Sequence, residues 1–560
     1  MTATNMVEIS DASALHSPSQ RWRHVLFLLV LLLLLWPLLS ATFPPFLDYY
    51  SHLARVHITS NIDAFSAFYS ANEIYPPNLA FDLIVRSLLG AVSLEQAGWV
   101  FLVSLIVLQA SGLWALNRLL TNRQSLPIGP IVGCAILYNS VLTMGFLSYL
   151  FGLGLMLWTV WLWLRVRERN WWIVLSVACA ANVVLYFAHL IAFGVYALVI
   201  FGYELHLLIA DRRRPLPERT RLFLRSGIPF LLPVLLYLTS FQGDMKVVMY
   251  PQKFLYGKLL AIVGTLNTGA TPLRLSLAGF AILAILLVAL ARIKLSPPMV
   301  LPIALLTLIF FAAPTAFGAG SHFDDRLPLA IGLVVCASIG VEVPDRRRAV
   351  ILLAALMAFI AIRSLDLSRD FSRFDREVQR ALRLFATIEP GSVVVVAIDT
   401  THPDFTWSAR GRSNWHVASL AALHAPVFVA TTHARASQHT MFLNGALFTN
   451  LYTWQKELPI ELATREQLAD TVAQYREIAG RGRVSIHLPN PRLYLLVLMP
   501  EDLSNATESF GRVIGTTDWF LLLEIEQEAR TQPPGAWKSS HQYGARNPWQ
   551  TDYFLITASS

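Results

Sequence analysis

Long apolar runs separated by short polar joints fill the first two thirds of the chain. A hydrocarbon core about 30 Å thick needs roughly 20 mostly apolar residues per helix, so runs of that length predict membrane-spanning helices. About eleven are present on this criterion: 25–43, 97–120, 128–147, 149–164, 171–188, 189–210, 224–241, 275–291, 299–317, 327–343 and 349–363. After about residue 365 the pattern changes. A charged, amphipathic stretch over 366–386 predicts a helix leading off the membrane, and Glu389-Pro390-Gly391 turns into the β-branched run 392–398. That run, with 493–499 and 519–525, suits buried strands. The fold class predicted is a polytopic α-helical membrane protein followed by a mixed α/β domain, which is long enough to bury a core of its own.

Composition agrees with the pattern. Of 560 residues, 55% are hydrophobic and 14% charged, with mean hydropathy +0.51; soluble domains carry about 25% charged residues. The net charge of +8 would suit nucleic acid. Its arginines, however, form short clusters between apolar runs, which reads as topology signalling and excludes a nucleic-acid partner. With the N-terminus inside, Arg165, Arg167 and Arg169, then Arg212, Arg213, Arg214, Arg219 and Arg221, then Arg292 and Lys294, then Arg346, Arg347 and Arg348 all fall on the cytoplasmic side. The opposite loops are sparser, holding mainly Arg55, Arg86, Lys246, Lys253, Lys258 and Arg326. The resulting division is a cytoplasmic tail over 1–24, a transmembrane domain over 25–365 and an extracytoplasmic α/β domain over 366–560. The first run has a basic flank and a small-residue Ser40-Ala41-Thr42, but it exceeds a typical signal-peptide core and is read as an uncleaved helix. Cys134, Cys179 and Cys336 lie inside apolar runs and read as packing residues, not as a disulfide framework or thiolate metal site.

Orientation sorts the polar residues by side. In the first outer loop Asp48, His52 and Arg55 are spaced i, i+4, i+7, on one face of a helix begun by Pro44 and Pro45. A carboxylate beside an imidazole and a guanidinium can deprotonate a hydroxyl, hold a divalent cation and bind phosphate. The same residues also suit an interfacial helix whose polar face meets water. A second concentration, 318–326, contains His322, Asp324, Asp325 and Arg326. The two aspartates fit a helix N-terminus, whereas Arg326, on the side poor in basic residues, suits recognition of an anion. Asp48 and Asp324 are the positions at which a divalent cation is considered. His189, at the turn between the fifth and sixth runs, is either functional or hydrogen-bonded to a neighbouring helix. Tyr149, beside Gly145 and Gly152, suits an aromatic belt. The outer-domain histidines, His402, His416, His424, His433, His439 and His487, have no regular ligand spacing, so no metal cluster is expected there. No P-loop, dinucleotide fingerprint, GxSxG elbow or HExxH helix occurs, against a nucleotide-driven pump or a common hydrolase.

A first span followed by an outer loop bearing Asp48, many further spans and a C-terminal outer domain resembles the GT-C membrane glycosyltransferases, the polyprenyl-phosphate-dependent mannosyl-, arabinosyl- and aminoarabinose transferases among them. The resemblance covers the architecture to about residue 365, and Asp48 is its chief residue-level element. Many members carry a paired acidic signature where this chain has Asp48-Tyr49. The resemblance implies a hexosyl- or pentosyltransferase of a multi-pass cell membrane, in a bacterium the inner one. It would take a sugar from a polyprenyl-phosphate carrier to an extracytoplasmic glycan, lipid or protein acceptor. Asp48 then inherits the catalytic role, and Arg326 or Arg55 would neutralise the phosphate. His52, Arg55, His189, His322, Asp324, Asp325 and Arg326 form the candidate substrate- and phosphate-binding set. Two rival classes are a transporter or flippase, for which Asp82 and Glu204 would matter, and a non-catalytic subunit of an envelope-polysaccharide assembly machine.

Overall fold

The computed structural model describes residues 18–72, 76–121, 125–240, 247–248, 254–317, 322–403, 412–435, 439–482, 491–500 and 510–525. Lys246, Lys253, His487 and residues 318–321 of the second polar concentration lie outside them. Eight of the described helices are long and apolar enough to cross a membrane: Arg21–Leu39, Leu94–Leu120, Leu147–Val166, Trp171–Ala188, Leu190–Ala210, Leu216–Thr239, Leu273–Leu290 and Arg346–Phe385. Three other runs expected to span form shorter helices, Pro297–Ala312, Leu327–Ser338 and Ile128–Ala135.

The reason for the last is local. The Asn139 side chain donates to the carbonyls of Ile136 and Leu137 and accepts from the amides of Val141 and Leu142, closing one helix and starting another within the run 128–147. Such a break at membrane depth is tolerated only inside protein. Ile128, Ile131 and Cys134 are fully buried. Leu327–Ser338 ends in the strand Ile339–Glu342, which pairs antiparallel with Arg292–Leu295. The lipid-facing surface is marked by exposed apolar side chains such as Leu32, Trp36, Leu238, Ile285 and Val288. Leu94–Leu120 and Leu147–Val166 approach closely because small residues line their contact. A methyl on Gly112 would come 2.9 Å from Leu157 Cβ, and one on Gly154 would come 2.9 Å from Leu108 Cγ.

The expected separate helix over 366–386 is instead the outer half of one 40-residue helix, Arg346–Phe385, capped by the Asp345 side chain on the Arg348 amide. A buried stripe, Leu352, Leu356, Ile360, Leu367, Phe371, Phe374, Val378, Ala381 and Phe385, runs along its length, interrupted by buried Arg363 and Ser364, and favours an unbroken helix. Beyond it stands a six-stranded sheet. Val393–Asp399 runs parallel to Leu493–Leu498, Phe428–Val429 and Ile460–Leu462. Leu493–Leu498 in turn pairs antiparallel with Phe520–Ile525, and the latter with Arg512–Thr516. The all-apolar central strands are buried on both faces, as parallel strands require.

This domain is stitched to the first outer loop. The strand Tyr69–Ala71 pairs antiparallel with Met441–Leu443. Asn72 N donates to Thr440 O at 2.8 Å, and His433 N donates to Ser51 Oγ at 2.8 Å. The loop that carries Asp48 and the edge of the α/β domain thus meet around Asp48.

Candidate functional site

The helix carrying the first polar triplet begins later than the prolines suggest. Phe46 N folds back onto Pro44 O, and Leu47 N is captured by Thr143 O at 2.8 Å, so the helix runs over Tyr49–Ser60 with Asp48 at its cap position. The Asp48 carboxylate makes no capping bond and is left for other partners. Gly145, at φ +81°, lies beneath it, where a Cβ would stand 2.5 Å from Asp48 N. Gly145→Ala would therefore combine a left-handed backbone with a clash against main chain, a cost of roughly 1–3 kcal/mol. The expected result is a lowered thermal unfolding midpoint together with reduced activity, since the turn also positions Asp48.

Helical spacing does not keep the triplet together. Arg55 is buried in a bidentate pair with Asp82, Nε to Oδ1 at 2.7 Å and Nη2 to Oδ2 at 2.8 Å, and Nη2 also reaches His52 Nδ1 at 2.6 Å. Nε and Nη2 are thus occupied by protein, clamping the Tyr49–Ser60 and Ala80–Leu88 helices together, while Nη1 is buried without a hydrogen-bond partner. Burial, then the Arg55 charge, holds the His52 pKa down at about 3, so its imidazole is neutral.

Two histidines of the outer domain take the place beside Asp48. His433 Nε2 is 3.4 Å and His416 Nε2 3.7 Å from Asp48 Oδ1. His416 Nδ1 lies 2.8 Å from the carbonyl of Thr431. A carbonyl only accepts, so the neutral ring carries its proton on Nδ1 and turns the Nε2 lone pair towards the carboxylate. Burial, then the neighbouring His433, keeps the His416 pKa down at about 4. His433 lies between two carboxylates, with Nδ1 3.4 Å from Glu457 Oε2, and Glu457 is itself held by Arg435 and the Tyr452 hydroxyl. Burial opposes protonation of His433, but bonding to Asp48 and Glu457 outweighs it and raises the pKa to about 9. Asp48 sits well below the usual carboxylate range: burial works against ionisation, and the His433 hydrogen bond and charge prevail.

Histidine spacing along the chain gives no metal cluster, whereas the fold brings one candidate set together. Asp48, His416 and His433 offer ligand atoms within 4.8 Å of one another. Metal–ligand bonds of about 2.0–2.2 Å in a tetrahedral set place ligand atoms roughly 3.3–3.6 Å apart, close to the two separations from Asp48 Oδ1, 3.4 Å and 3.7 Å. Thr431 and Glu457 lie behind the two rings as the outer partners that ligating histidines need. The residues present fit a divalent cation provided that His433 gives up the proton held between Asp48 and Glu457. The sequence hid them because each ligand comes from a different segment, so no ligand-to-ligand spacing exists to be read.

The junction of the outer domain with the loop should respond to pH. A histidine whose pKa is raised on docking contributes stability that is full below its free value, about 6.5, and is lost as pH rises through about 9. Glu457, lowered to about 2 because His433 and Arg435 overcome its burial, contributes above its free value and loses that contribution as pH falls. The contribution of this pair is full between about pH 4.5 and 6.5, while the neutral His416 adds stability that is present above about pH 6.5 and is lost as pH falls through about 4. The unfolding midpoint of the purified protein is expected to fall between pH 6 and 9, and His433→Gln should flatten that dependence.

On the other side of the Gly145-Phe146 turn lies Arg326. Its guanidinium is 4.0 Å above the Phe146 ring and 5.8 Å from that of Tyr149, whose hydroxyl donates to Arg326 O at 2.7 Å. Nε is buried without a hydrogen-bond partner, and no described carboxylate lies within ion-pair distance. Burial lowers its pKa to about 10, leaving it charged at neutral pH, with Tyr149, Asp48 and Asp325 the nearby groups acting the other way. His189 packs edge-on against Tyr149 at 5.2 Å and accepts the Ile191 amide on Nδ1, leaving Nε2 as its donor. Asp48, Arg326 and His189 are thus brought into one neighbourhood through Gly145, Phe146 and Tyr149. The neighbouring aspartates are engaged elsewhere: Asp324 is fully buried on Lys258 Nζ at 2.8 Å, and Asp325 pairs with His322 Nδ1 at 2.7 Å. Lys258 supplies a cation at Asp324 in this structure.

Two solved structures are similar in fold to the chain: ArnT from Cupriavidus metallidurans in the apo state (TM-score 0.47, 11% identity, 91% of this chain and 98% of that one) and the same protein bound to undecaprenyl phosphate (TM-score 0.46, 10% identity, 90% and 98%). No protein-family description and no curated protein matches the chain.

Proposed function

We propose that the chain is a membrane glycosyltransferase of the GT-C type, moving a sugar from a polyprenyl-phosphate carrier to a hydroxyl-bearing acceptor. The observation that supports this most is the pairing, across one short turn, of an ionised carboxylate with a half-buried guanidinium, its Nε enclosed, that has no ion-pair partner among the described residues. A glycosyl phosphate needs both. The acceptor oxygen forms a bond to the anomeric carbon, the carbon–oxygen bond to phosphate breaks, and its electron pair leaves on the phosphate, where Arg326 meets the charge. The acceptor proton passes to Asp48 Oδ. A weak base suffices, because bonding to an oxocarbenium-like carbon makes the attacking hydroxyl acidic. His189, through Nε2–H, is placed to donate towards the same anion. A divalent cation held by Asp48, His416 and His433 would supply Lewis-acid charge at the same place.

The residues to which the transport reading pointed are locked in ion pairs. Asp82 is held by Arg55, while Glu204 accepts from Trp163 and is paired with Arg167 at the other end of the helices. Radiolabelled sugar transfer by the purified protein, run over a panel of polyprenyl-phosphate sugars and candidate acceptors, tests the enzyme reading. Product from at least one donor is expected. No product across the panel from folded protein would overturn it.

A further inference from the structure

The end of the bundle opposite Asp48 carries an open groove of about 710 Å³ along the helix Leu216–Gly227. Helical spacing sorts its lining into two columns. Leu216, Leu224 and Ile228 form an apolar one, exposed by 60%, 64% and 44%, and exposed Leu231 and Leu235 lie next along the chain. Arg221 and Arg225, one turn apart, form the other. Arg225 lies 4.1 Å over the Trp171 ring, and neither arginine has an ion pair among the described residues. Arg219, by contrast, is used by the fold, donating to Leu208 O at 2.7 Å. The helix continues into an apolar span, Leu216–Thr239, so the groove opens where headgroups meet acyl chains. Two unpaired guanidinia beside an apolar column, with Trp172 exposed at the same level, match one kind of occupant: an anion with hydrocarbon attached to it.

We propose that this groove is a binding site for an anionic phospholipid of the leaflet opposite the Asp48 site, with the phosphate between Arg221 and Arg225 and acyl chain along Leu224, Ile228 and Leu235. The site is independent of sugar transfer, since it lies at the far end of the helices.

Native mass spectrometry of the full-length protein with added phosphatidylglycerol, phosphatidylcholine or glycerol 3-phosphate tests it. Phosphatidylglycerol should be retained in preference to the other two. Each arginine near a charged lipid surface is worth about a fivefold change in binding, so Arg221→Gln/Arg225→Gln should weaken retention roughly 30-fold. Arg221→Lys/Arg225→Lys should keep most of it, and Arg347→Gln, an exposed arginine elsewhere on the same face, should leave it unchanged. Equal retention of phosphatidylglycerol by the double Gln variant, or an equal loss in Arg347→Gln, would overturn the proposal. Equal binding of phosphatidylcholine or glycerol 3-phosphate by the wild-type protein would do the same, and that arm does not depend on any variant folding.

Discussion

Asp48→Asn is expected to lower sugar transfer by roughly 10²- to 10⁴-fold, the usual worth of a positioned general base, while the protein still folds. Asparagine keeps the side chain's size and removes its charge and basicity. His433 retains Glu457 as its counter-ion, so the outer domain stays docked. The loss should fall on kcat, with little change in donor KM, because the proton moves only as the new bond forms. Initial rates with labelled donor, beside the unfolding midpoint, separate the possibilities. Activity within about threefold of wild type would remove Asp48 from the chemistry, and a collapse in protein yield would make its role structural.

Arg326→Leu should move stability and activity in opposite directions. The Arg326 side chain is half-buried, with Nε enclosed among aromatic rings and no ion-pair partner among the described residues, so replacing it by an apolar side chain removes a desolvation cost at the low end of the roughly 1–4 kcal/mol seen for fully buried charges. The unfolding midpoint is therefore expected to rise. Transfer should fall roughly 10²- to 10³-fold, the typical effect of removing one preorganised donor from a developing negative charge. Arg326→Lys, which keeps the charge but loses the planar stack on Phe146, should recover only part of the rate. A lowered midpoint in Arg326→Leu would mean that the residue holds the fold together.

Much of the membrane architecture was legible, because hydropathy reports solvent directly. The spans over 149–164 and 171–188 correspond to Leu147–Val166 and Trp171–Ala188. Hydropathy cannot distinguish lipid from protein interior, and the run over 128–147 failed for that reason: its apolar side chains face neighbouring helices, and the polar Asn139 breaks the rod. The strands at 392–398 and 493–499 were readable because both of their faces are apolar, and that at 519–525 because its residues other than Glu524 are. Asp48 and Arg326 stood out as polar residues at outer helix ends. The grouping of Asp48 with His52 and Arg55 did not survive, since helix periodicity assigns a face and says nothing of who stands opposite. Asp82 stood opposite Arg55. His416 and His433 were visible only as residues without a pattern. His433 follows the short strand Phe428–Val429, and loops at the carboxyl ends of parallel strands are where such sheets place their chemistry, a signal that emerges only once the strand is known.

The unbroken Arg346–Phe385 helix has a mechanical meaning. Forty residues at 1.5 Å each make a rod about 60 Å long, of which a bilayer occupies about half. One end is set among lipids, and Arg380 near the other holds Asp518 of the outer domain at 2.9 Å. A thicker or thinner bilayer changes the tilt of such a rod, and the far half must swing with it like a lever. Because the α/β domain is also fastened to the Asp48 loop, through the pairing of Tyr69–Ala71 with Met441–Leu443 and the bond from His433 N to Ser51 Oγ, that swing is resisted at its far end, and the rod serves as a brace between two anchored bodies.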